Sequence, residues 1–438
     1  GVLTGHYDNQ VDNYKQDHFQ FHWTQQYNSF WSSTIGLNYT YGRGYYEEYN
    51  DLWATQNIAF GDEVNFDYLQ ITPLVSGGIT IDTTENISRK WLDNNFYVGT
   101  FSLNYDSNQT NAVFGGSYSS YNGDHFGNLI WAQYASNAAP NHRFYESNAD
   151  KKDFNLYSKV TQRLGTAWTV YADVQYRTVA YNSRGTVKGP EPIAIDDTLS
   201  FFNPKAGITY RASEASRLYL SYAKAQREPN RSDYENGTPK SESLNDFEAG
   251  WRFKEEKVQL QANLYYMDYE NQLVLTGALD AVGEPIRTNS GASYRFGLEI
   301  EAAIQFAEQW VWQPNLAVSS NKNKDFYFKR DGLLQNLGTT NISYSPSIVG
   351  ASNLVYAPST VFRIALLSKY VGEQYMGNID ADLSKLEAYL TNDINISYVW
   401  TPNSWIKEAQ FSLLVNNIFN ELYTSNGFFY TFDDDYSV

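Results

Sequence analysis

The chain has 438 residues, a net charge of −17 and 17% aromatic residues, among them 37 Tyr and 11 Trp. This acidity argues against a nucleic-acid partner, because phosphate recognition requires a basic surface. The sequence contains no cysteine, which excludes disulfides, thiolate metal sites and thiol nucleophiles. It also lacks any apolar run of the about 18 residues that a transmembrane helix requires.

In chain order, runs of alternating apolar and polar residues predict sixteen strands. In one of them Val258, Leu260 and Leu264 fall on one side and Gln259 and Gln261 on the other. Only a β-strand sorts a period of two onto two faces. The predicted strands cover residues 17–27, 32–42, 94–106, 110–121, 152–163, 167–180, 199–212, 216–227, 244–254, 257–270, 293–306, 310–322, 345–357, 361–371, 387–400 and 410–419.

The connections between these strands alternate between short and long. The long ones are 43–93, 122–151, 181–198, 228–243, 271–292, 323–344 and 372–386. All short connections therefore lie at one end of the strands. A soluble sandwich does not need this sorting, whereas outer-membrane barrels have short periplasmic turns and long extracellular loops. The sequence predicts an all-β fold, a transmembrane antiparallel β-barrel with about 16 strands present.

Aromatic residues near the strand ends favour the same fold. Seven tryptophans lie close to a short connection: Trp31, Trp168, Trp251, Trp310, Trp312, Trp400 and Trp405. Six tyrosines lie toward the long connections: Tyr41, Tyr121, Tyr176, Tyr222, Tyr266 and Tyr370. Two such rings are expected where a barrel meets the two membrane interfaces.

Charged residues alternate with apolar ones inside the predicted strands. Asp173, Gln175 and Arg177, for example, alternate with Val174 and Tyr176. Because Arg or Lys on the lipid face costs about 2–4 kcal/mol at the membrane centre, these charges should face the lumen. Unpaired charges cannot be packed into a dry core, so the lumen is expected to hold water or a polar plug.

Two long connections have the composition of a binding surface. Residues 121–151 combine aromatic rings with His and Arg side chains, and residues 228–243 combine Tyr234 with Arg231 and Asp233. They are interpreted as a ligand-contacting mouth or, alternatively, as ordinary solvated loops.

Catalytic signatures are missing from the sequence. His18 and His22 share a strand face, which is only weak evidence for a metal site. Glu299 and Glu301 also share a strand face, but lumen polarity explains this pair without catalysis. We therefore predict no enzymatic activity, no metal site and no cofactor.

Seven segments, in this order, resemble one family. They are Phe202–Gly207, Leu218–Ala223, Arg227–Arg231, Tyr265–Leu273, Tyr294–Glu301, Ser368–Gly372 and Leu414–Asn420. The series resembles the TonB-dependent outer-membrane receptors, especially the iron-complex receptors of Bacteroidetes type.

The resemblance implies a barrel of about 22 strands that is filled by an N-terminal plug domain with a TonB-binding segment ahead of it. Nothing before Gln16 matches such a plug, and no final strand follows the last predicted one. Residues 1–438 are therefore expected to be a β-barrel domain fragment without the plug, the first five strands and the last strand. Unpaired strand edges inside a bilayer would leave backbone groups unsatisfied, which also favours a larger chain.

The implied function is TonB-dependent import of a scarce nutrient complex, most of all a ferric siderophore, across the outer membrane of a Gram-negative bacterium. The implied partners are TonB, through a segment not in this sequence, outer-membrane lipids, the iron chelate and an optional accessory surface lipoprotein. Cations and aromatic rings suited to an anionic or aromatic chelate give the ligand-binding candidates Arg177, Arg227, Arg231, Trp131, His142, Arg143 and Tyr145.

Three alternatives stay open at this point. The first is a passive porin-like channel, which a polar lumen would also serve. The second is a TonB-dependent receptor for cobalamin, a glycan or a peptide. The third is a barrel enzyme such as a surface protease or lipase.

Overall fold

The structure is a computed structural model that describes residues 7–52, 61–187, 189–279, 285–330, 333–402 and 405–429. Seventeen strands form one large sheet, and four two-stranded hairpins accompany it. The prediction of an all-β fold is confirmed. In the described part of the chain, no helix has the length and apolar character needed to cross a membrane.

Twenty-five strands are described in chain order. They are β1 (Val11–Gln26), β2 (Trp31–Asn50), β3 (Leu74–Ser76), β4 (Ile79–Ile81), β5 (Asn86–Asp106), β6 (Thr110–Ala132), β7 (His142–Leu164), β8 (Trp168–Val187), β9 (Glu191–Arg211), β10 (Ser216–Arg227), β11 (Glu242–Lys254), β12 (Val258–Glu270), β13 (Leu273–Leu279), β14 (Pro285–Asn289), β15 (Ala292–Ala307), β16 (Trp310–Lys324), β17 (Tyr327–Arg330), β18 (Leu333–Asn336), β19 (Thr340–Asn341), β20 (Ile348–Ser359), β21 (Phe362–Val371), β22 (Gln374–Tyr375), β23 (Lys385–Leu386), β24 (Tyr389–Trp400) and β25 (Ala409–Val415). The described helices are α1 (Arg231–Glu235) and two 3-10 turns, Gly61–Val64 and Asp382–Ser384.

All sixteen predicted strands are present, but several extend further toward the long connections than the alternation indicated. The largest difference is in 121–151, where β6 ends at Ala132 and β7 begins at His142. Most of this predicted loop is therefore regular strand. Apolar–polar alternation does not predict these strand ends, because polar residues occupy both faces of β6 and β7 beyond the level of the predicted tyrosines.

The chain divides into two compact units, Gly1–Lys159 with Gln175–Phe201, and Val160–Val174 with Phe202–Val438. In the first unit, β1 pairs antiparallel with β2, β2 with β5, and β5 with β6. The 61–85 segment packs against β6 and β7, and Phe66, Leu69 and Phe144 form a core there that is almost completely buried.

In the second unit, an antiparallel ladder runs from β9 through β10, β11, β12, β15, β16, β20, β21 and β24 to β25. The register of this ladder places apolar residues beside apolar ones and polar residues beside polar ones. One row of cross-strand partners is Leu220, Ala249, Leu264 and Leu298, and the row on the opposite face one residue further along is Ser221, Glu248, Tyr265 and Gly297. We name these faces the apolar face and the polar face of the sheet.

Several exposed aromatic rings of the strands lie on the apolar face. In the first unit Tyr39 stacks between Phe19 and Tyr97, with ring centroids 5.9 Å and 4.7 Å apart. Tyr121 was predicted to belong to the tyrosine row near the long connections, but it lies on the opposite face of the sheet. Its cross-strand partner is Phe96, whereas the apolar-face residue Tyr97 pairs with Ser120. Tyr118 is the exposed tyrosine of this strand.

On the polar face of the second unit, three tyrosine rings lie over glycines of the next strand. Tyr171 covers Gly207, Tyr219 covers Gly250, and Tyr265 covers Gly297. A Cβ atom at any of these glycines would come closer than 3.0 Å to the ring. The absence of a side chain therefore permits the tyrosine to pack flat against the wall.

Candidate ligand-binding site

The polar face of the second unit is strongly charged. Arg252 pairs across the ladder with Arg217 on one side and Gln261 on the other, and Glu299 pairs with Asn263. The charges that alternate with apolar residues in the sequence thus collect on one face, as predicted. A surface of this kind is compatible with water or a polar ligand and not with lipid.

Arg177 lies on the polar face of β8 in the first unit. Its guanidinium donates to both carboxylate oxygens of Asp153, with Nε–Oδ1 and Nη2–Oδ2 distances of 3.1 and 2.6 Å. Both side chains are about a quarter exposed. This bidentate pair fixes the Arg177 guanidinium on the polar face. A ligand that contacts Arg177, as predicted, would have to share the guanidinium with Asp153.

His142 and Tyr145 hold the 61–85 segment in place. His142 Nε2 lies 3.0 Å from the carbonyl oxygen of Leu69, and Tyr145 packs against the buried core around Phe144. Gln70 Nε2 donates to the Phe144 carbonyl oxygen at 2.7 Å and reinforces the contact. Both predicted ligand residues are therefore used to attach a loop to the strands.

Arg143 and Trp131 are the two most exposed candidates of the first unit. The Arg143 guanidinium stands 4.1 Å from the centroid of Phe126 and pairs with Glu146 at 2.6 Å. Trp131 faces Ile87 across the ladder and is 46% exposed. Either side chain can contact a planar or anionic molecule without breaking the fold.

A buried ion cluster in the same unit lies outside the residues predicted from the sequence. The Lys90 ammonium lies 2.7 Å from Glu48 and 2.6 Å from Glu63, and the Lys90 side chain is 12% exposed. Burial by itself lowers the pKa of Lys90, but Tyr68, Glu48 and Glu63 outweigh burial and raise it. Burial raises the pKa of Tyr68. The signal available in the sequence was the adjacent pair Arg89-Lys90 beyond the end of the apolar alternation.

In the second unit, Arg227 is the last residue of β10 and Arg231 is the first residue of α1. Arg227 pairs with Glu242 at 3.1 Å, and Arg231 Nε donates to Glu235 at 2.6 Å within α1. Of the two, Arg227 is the more exposed. Arg231 stabilises the helical turn, whereas Arg227 can also reach a ligand.

The α1 turn borders a polar cavity of about 360 Å³ that the sequence analysis did not identify. Buried Asp233 accepts from Arg287, with Nη2–Oδ2 2.9 Å and Nε–Oδ1 3.1 Å. Asn289 Nδ2 donates to the Lys240 carbonyl oxygen at 3.0 Å. The Lys240 side chain is exposed at the rim. This cavity joins two loops that are about fifty residues apart in the sequence, so only the fold brings them together.

No group of three or more His, Asp or Glu side chains that could hold a metal ion occurs among the described residues. His18 Nδ1 lies 2.9 Å from Thr40 Oγ1, which accounts for one of the two histidines on this strand.

The profile of a family described as TonB dependent receptor-like, beta-barrel, matches residues 2–418. The chain belongs to this family. Its fold is therefore the antiparallel β-barrel predicted from the sequence. No curated protein sequence matches the chain.

Several solved structures are similar over almost all of this chain. The ferric yersiniabactin uptake receptor FyuA from Yersinia pestis has 15% identity and a TM-score of 0.63, and covers 95% of this chain and 58% of its own. The ferric-catecholate import receptor Fiu from E. coli K12 has 15% identity, a TM-score of 0.60, and coverages of 95% and 61%. The copper transporter OprC has 13% identity, a TM-score of 0.66, and coverages of 94% and 60%.

At these identities the likeness establishes the fold. The chain spans about three fifths of the length of these three proteins. The family consists of receptors and transporters of the Gram-negative outer membrane and is not a class of enzymes. The Bacteroidetes type stays a prediction.

Proposed function

We propose that this chain is the barrel wall of an outer-membrane receptor that imports a metal chelate, a ferric siderophore foremost, with energy from TonB. The observation that carries the proposal is the charged polar face of the sheet in a chain of this receptor family. Named iron-complex receptors with the same fold support the choice of cargo. The receptor would move its ligand without making or breaking a covalent bond.

At the level of residues, we propose that Arg143, Trp131 and Arg227 contact the ligand. All three keep exposed surface, and cations beside aromatic rings suit an anionic or aromatic chelate. The remaining candidates, Arg177, Arg231, His142 and Tyr145, would act by fixing the wall and loops around the ligand, because their polar atoms or rings already have protein partners.

Uptake by whole cells tests the transport proposal. The complete receptor is deleted, restored from a plasmid, and tested for growth on single iron chelates and for uptake of the radioactive iron complexes. We expect uptake that requires both the receptor and TonB. Uptake that persists without TonB would support a passive channel instead. Receptor-dependent uptake of copper in place of iron would instead identify copper as the cargo. This outcome is worth testing because the similar structure OprC is a copper transporter.

A matched pair of arginine variants tests the contact residues. Arg143→Ala removes the cation from Phe126, whereas Arg184→Ala removes an arginine that is 71% exposed and forms a loose pair, 3.6 Å, with Asp196. We expect Arg143→Ala to weaken chelate binding to purified receptor about 10- to 150-fold, the range for one charge-assisted contact, and Arg184→Ala to leave it unchanged. Equal affinity in both variants would remove Arg143 from the site.

A further inference from the structure

The apolar face of the second unit carries a continuous groove. Two adjoining cavities, of about 700 and 500 Å³, share Ile208, Leu220, Ala249 and Leu264 in their lining. Because they share walls, they form one depression that crosses from β8 to β15. Lining atoms are almost entirely apolar, as expected for a surface that faces hydrocarbon.

The strand register explains the shape of this groove. Its floor is the row Ile208, Leu220, Ala249 and Leu264, with Ala249 as the smallest member at the centre. The next row toward the long connections is almost entirely aromatic and forms one wall: Tyr222, Phe247, Tyr266 and Phe296. The next row toward the short connections begins with Tyr210, Leu218 and Trp251 and forms the other wall.

The walls are held rigidly by their own contacts. Tyr222 and Phe247 have ring centroids 5.0 Å apart, and the Tyr222 hydroxyl donates to Asn245 Oδ1 at 2.9 Å. Trp251 Nε1 donates to Ser216 Oγ at 2.9 Å. Because these contacts hold the rings at the edges of the groove, the space above Ala249 stays accessible to a molecule that lies on the apolar face.

Positive charge lies just beyond the aromatic wall. Lys224 follows Tyr222 on the same face of β10, and among the described residues its ammonium has no hydrogen-bond or ion-pair partner. Further along the same row Lys322 donates to the neutral amide of Asn341 at 2.6 Å. Asp268 on this row is neutralised by Lys324 at 2.9 Å. The row therefore has an excess of positive charge at the level where lipid headgroups begin.

We propose that this groove binds one lipid with a phosphate-bearing headgroup, its acyl chain over Ala249 and its phosphate at Lys224. An apolar trough that ends at an unpaired ammonium is complementary to that chemistry. A second copy of the chain fits worse. In a two-fold dimer within a membrane the same patches meet at the same depth, so Lys224 would face the partner's like charge. This site is independent of the transported ligand.

Native mass spectrometry of the complete receptor in mild detergent tests the site. The probes are phosphatidylglycerol, diacylglycerol and inorganic phosphate. We expect one phosphatidylglycerol to remain bound, diacylglycerol to bind about fivefold more weakly because one lysine–phosphate attraction is lost, and inorganic phosphate not to bind. Phosphate that binds alone and displaces the lipid would overturn the proposal in favour of a simple anion site.

Two variants with matched controls separate chain and headgroup. Ala249→Leu fills the groove floor, whereas Ala302→Leu adds the same volume to the apolar face outside it. Lys224→Gln removes the headgroup charge, whereas Lys205→Gln removes a lysine on the polar face. We expect about tenfold weaker lipid retention for Ala249→Leu, since several buried CH₂ groups are displaced, and about fivefold for Lys224→Gln.

The control variants should retain the lipid as the unaltered receptor does. Heat-dependent mobility on SDS gels confirms that each variant has formed its barrel before lipid binding is compared. Lipid retention that is unchanged in both Ala249→Leu and Lys224→Gln, or reduced as much by the controls, would refute the site.

Discussion

Replacing Gly250 by alanine tests whether the tyrosine rings on the polar face depend on the glycines beneath them. The three atoms nearest to a Cβ atom at Gly250 would all belong to Tyr219, and each would lie closer than 3.0 Å. The ring would have to move, and its hydroxyl would lose Asn263 Oδ1, now 2.9 Å away. The Arg252 guanidinium, 5.2 Å from the ring centroid, would lose its stacking partner.

The expected cost follows from these contacts. A lost hydrogen bond is worth about 1 kcal/mol, and insertion of a methyl group into a packed site costs about 1–3 kcal/mol. Loss of the flexibility of glycine in the unfolded chain returns about 0.5–1 kcal/mol. Gly250→Ala should therefore lower the free energy of unfolding by about 1–3 kcal/mol.

Urea unfolding of the complete receptor in detergent, followed by tryptophan fluorescence, measures this difference. Gly350→Ala is the matched control, because a Cβ there meets its nearest atoms at 3.5 and 3.6 Å, an ordinary contact. It should be neutral or slightly stabilising. Removing the ring in Tyr219→Ala should make the added methyl at Gly250 harmless, so the double variant should be no less stable than Tyr219→Ala alone. Equal stability of Gly250→Ala and Gly350→Ala would refute the reasoning.

Three further variants probe the ion pairs of the first unit. Arg177→Met leaves Asp153 unpaired and should cost about 1–3 kcal/mol in urea unfolding, with most of it regained when Asp153→Asn is added. Lys90→Met leaves two carboxylates facing each other and should speed amide exchange in Asn65–Ile71, while Lys90→Arg should not. Burial opposes ionisation of Glu47, but hydrogen bonds from its neighbours outweigh burial and lower its pKa. Its stabilisation is therefore complete above the ordinary carboxyl pKa and lost as pH falls through the lowered value. Amide exchange around Glu47 should therefore become faster at acid pH, and Glu47→Gln should abolish this increase.

The sequence by itself determined the fold class, the sixteen long strands of the large sheet and the two faces of the wall. These properties rest on a period of two repeated in every strand, which neighbouring residues alone establish. For the same reason the charges near Arg177 and Arg252 were assigned correctly to one face. The ends of β6 and β7 at the long connection could not be predicted. Beyond the predicted tyrosines the apolar–polar alternation ends, while the backbone hydrogen bonding between the strands continues.

Only the tertiary structure decided what the candidate residues do. His142 and Tyr145 have the composition of a binding surface, yet they hold the 61–85 segment. Conversely, Ala249 and Lys224 have ordinary side chains, and their proposed role in lipid binding depends on which rows of the sheet lie beside them. Cross-strand neighbours are fixed by register and by loops that return from distant parts of the chain. Alternation along one strand contains no information about either, which is why sites formed between strands emerge only with the fold.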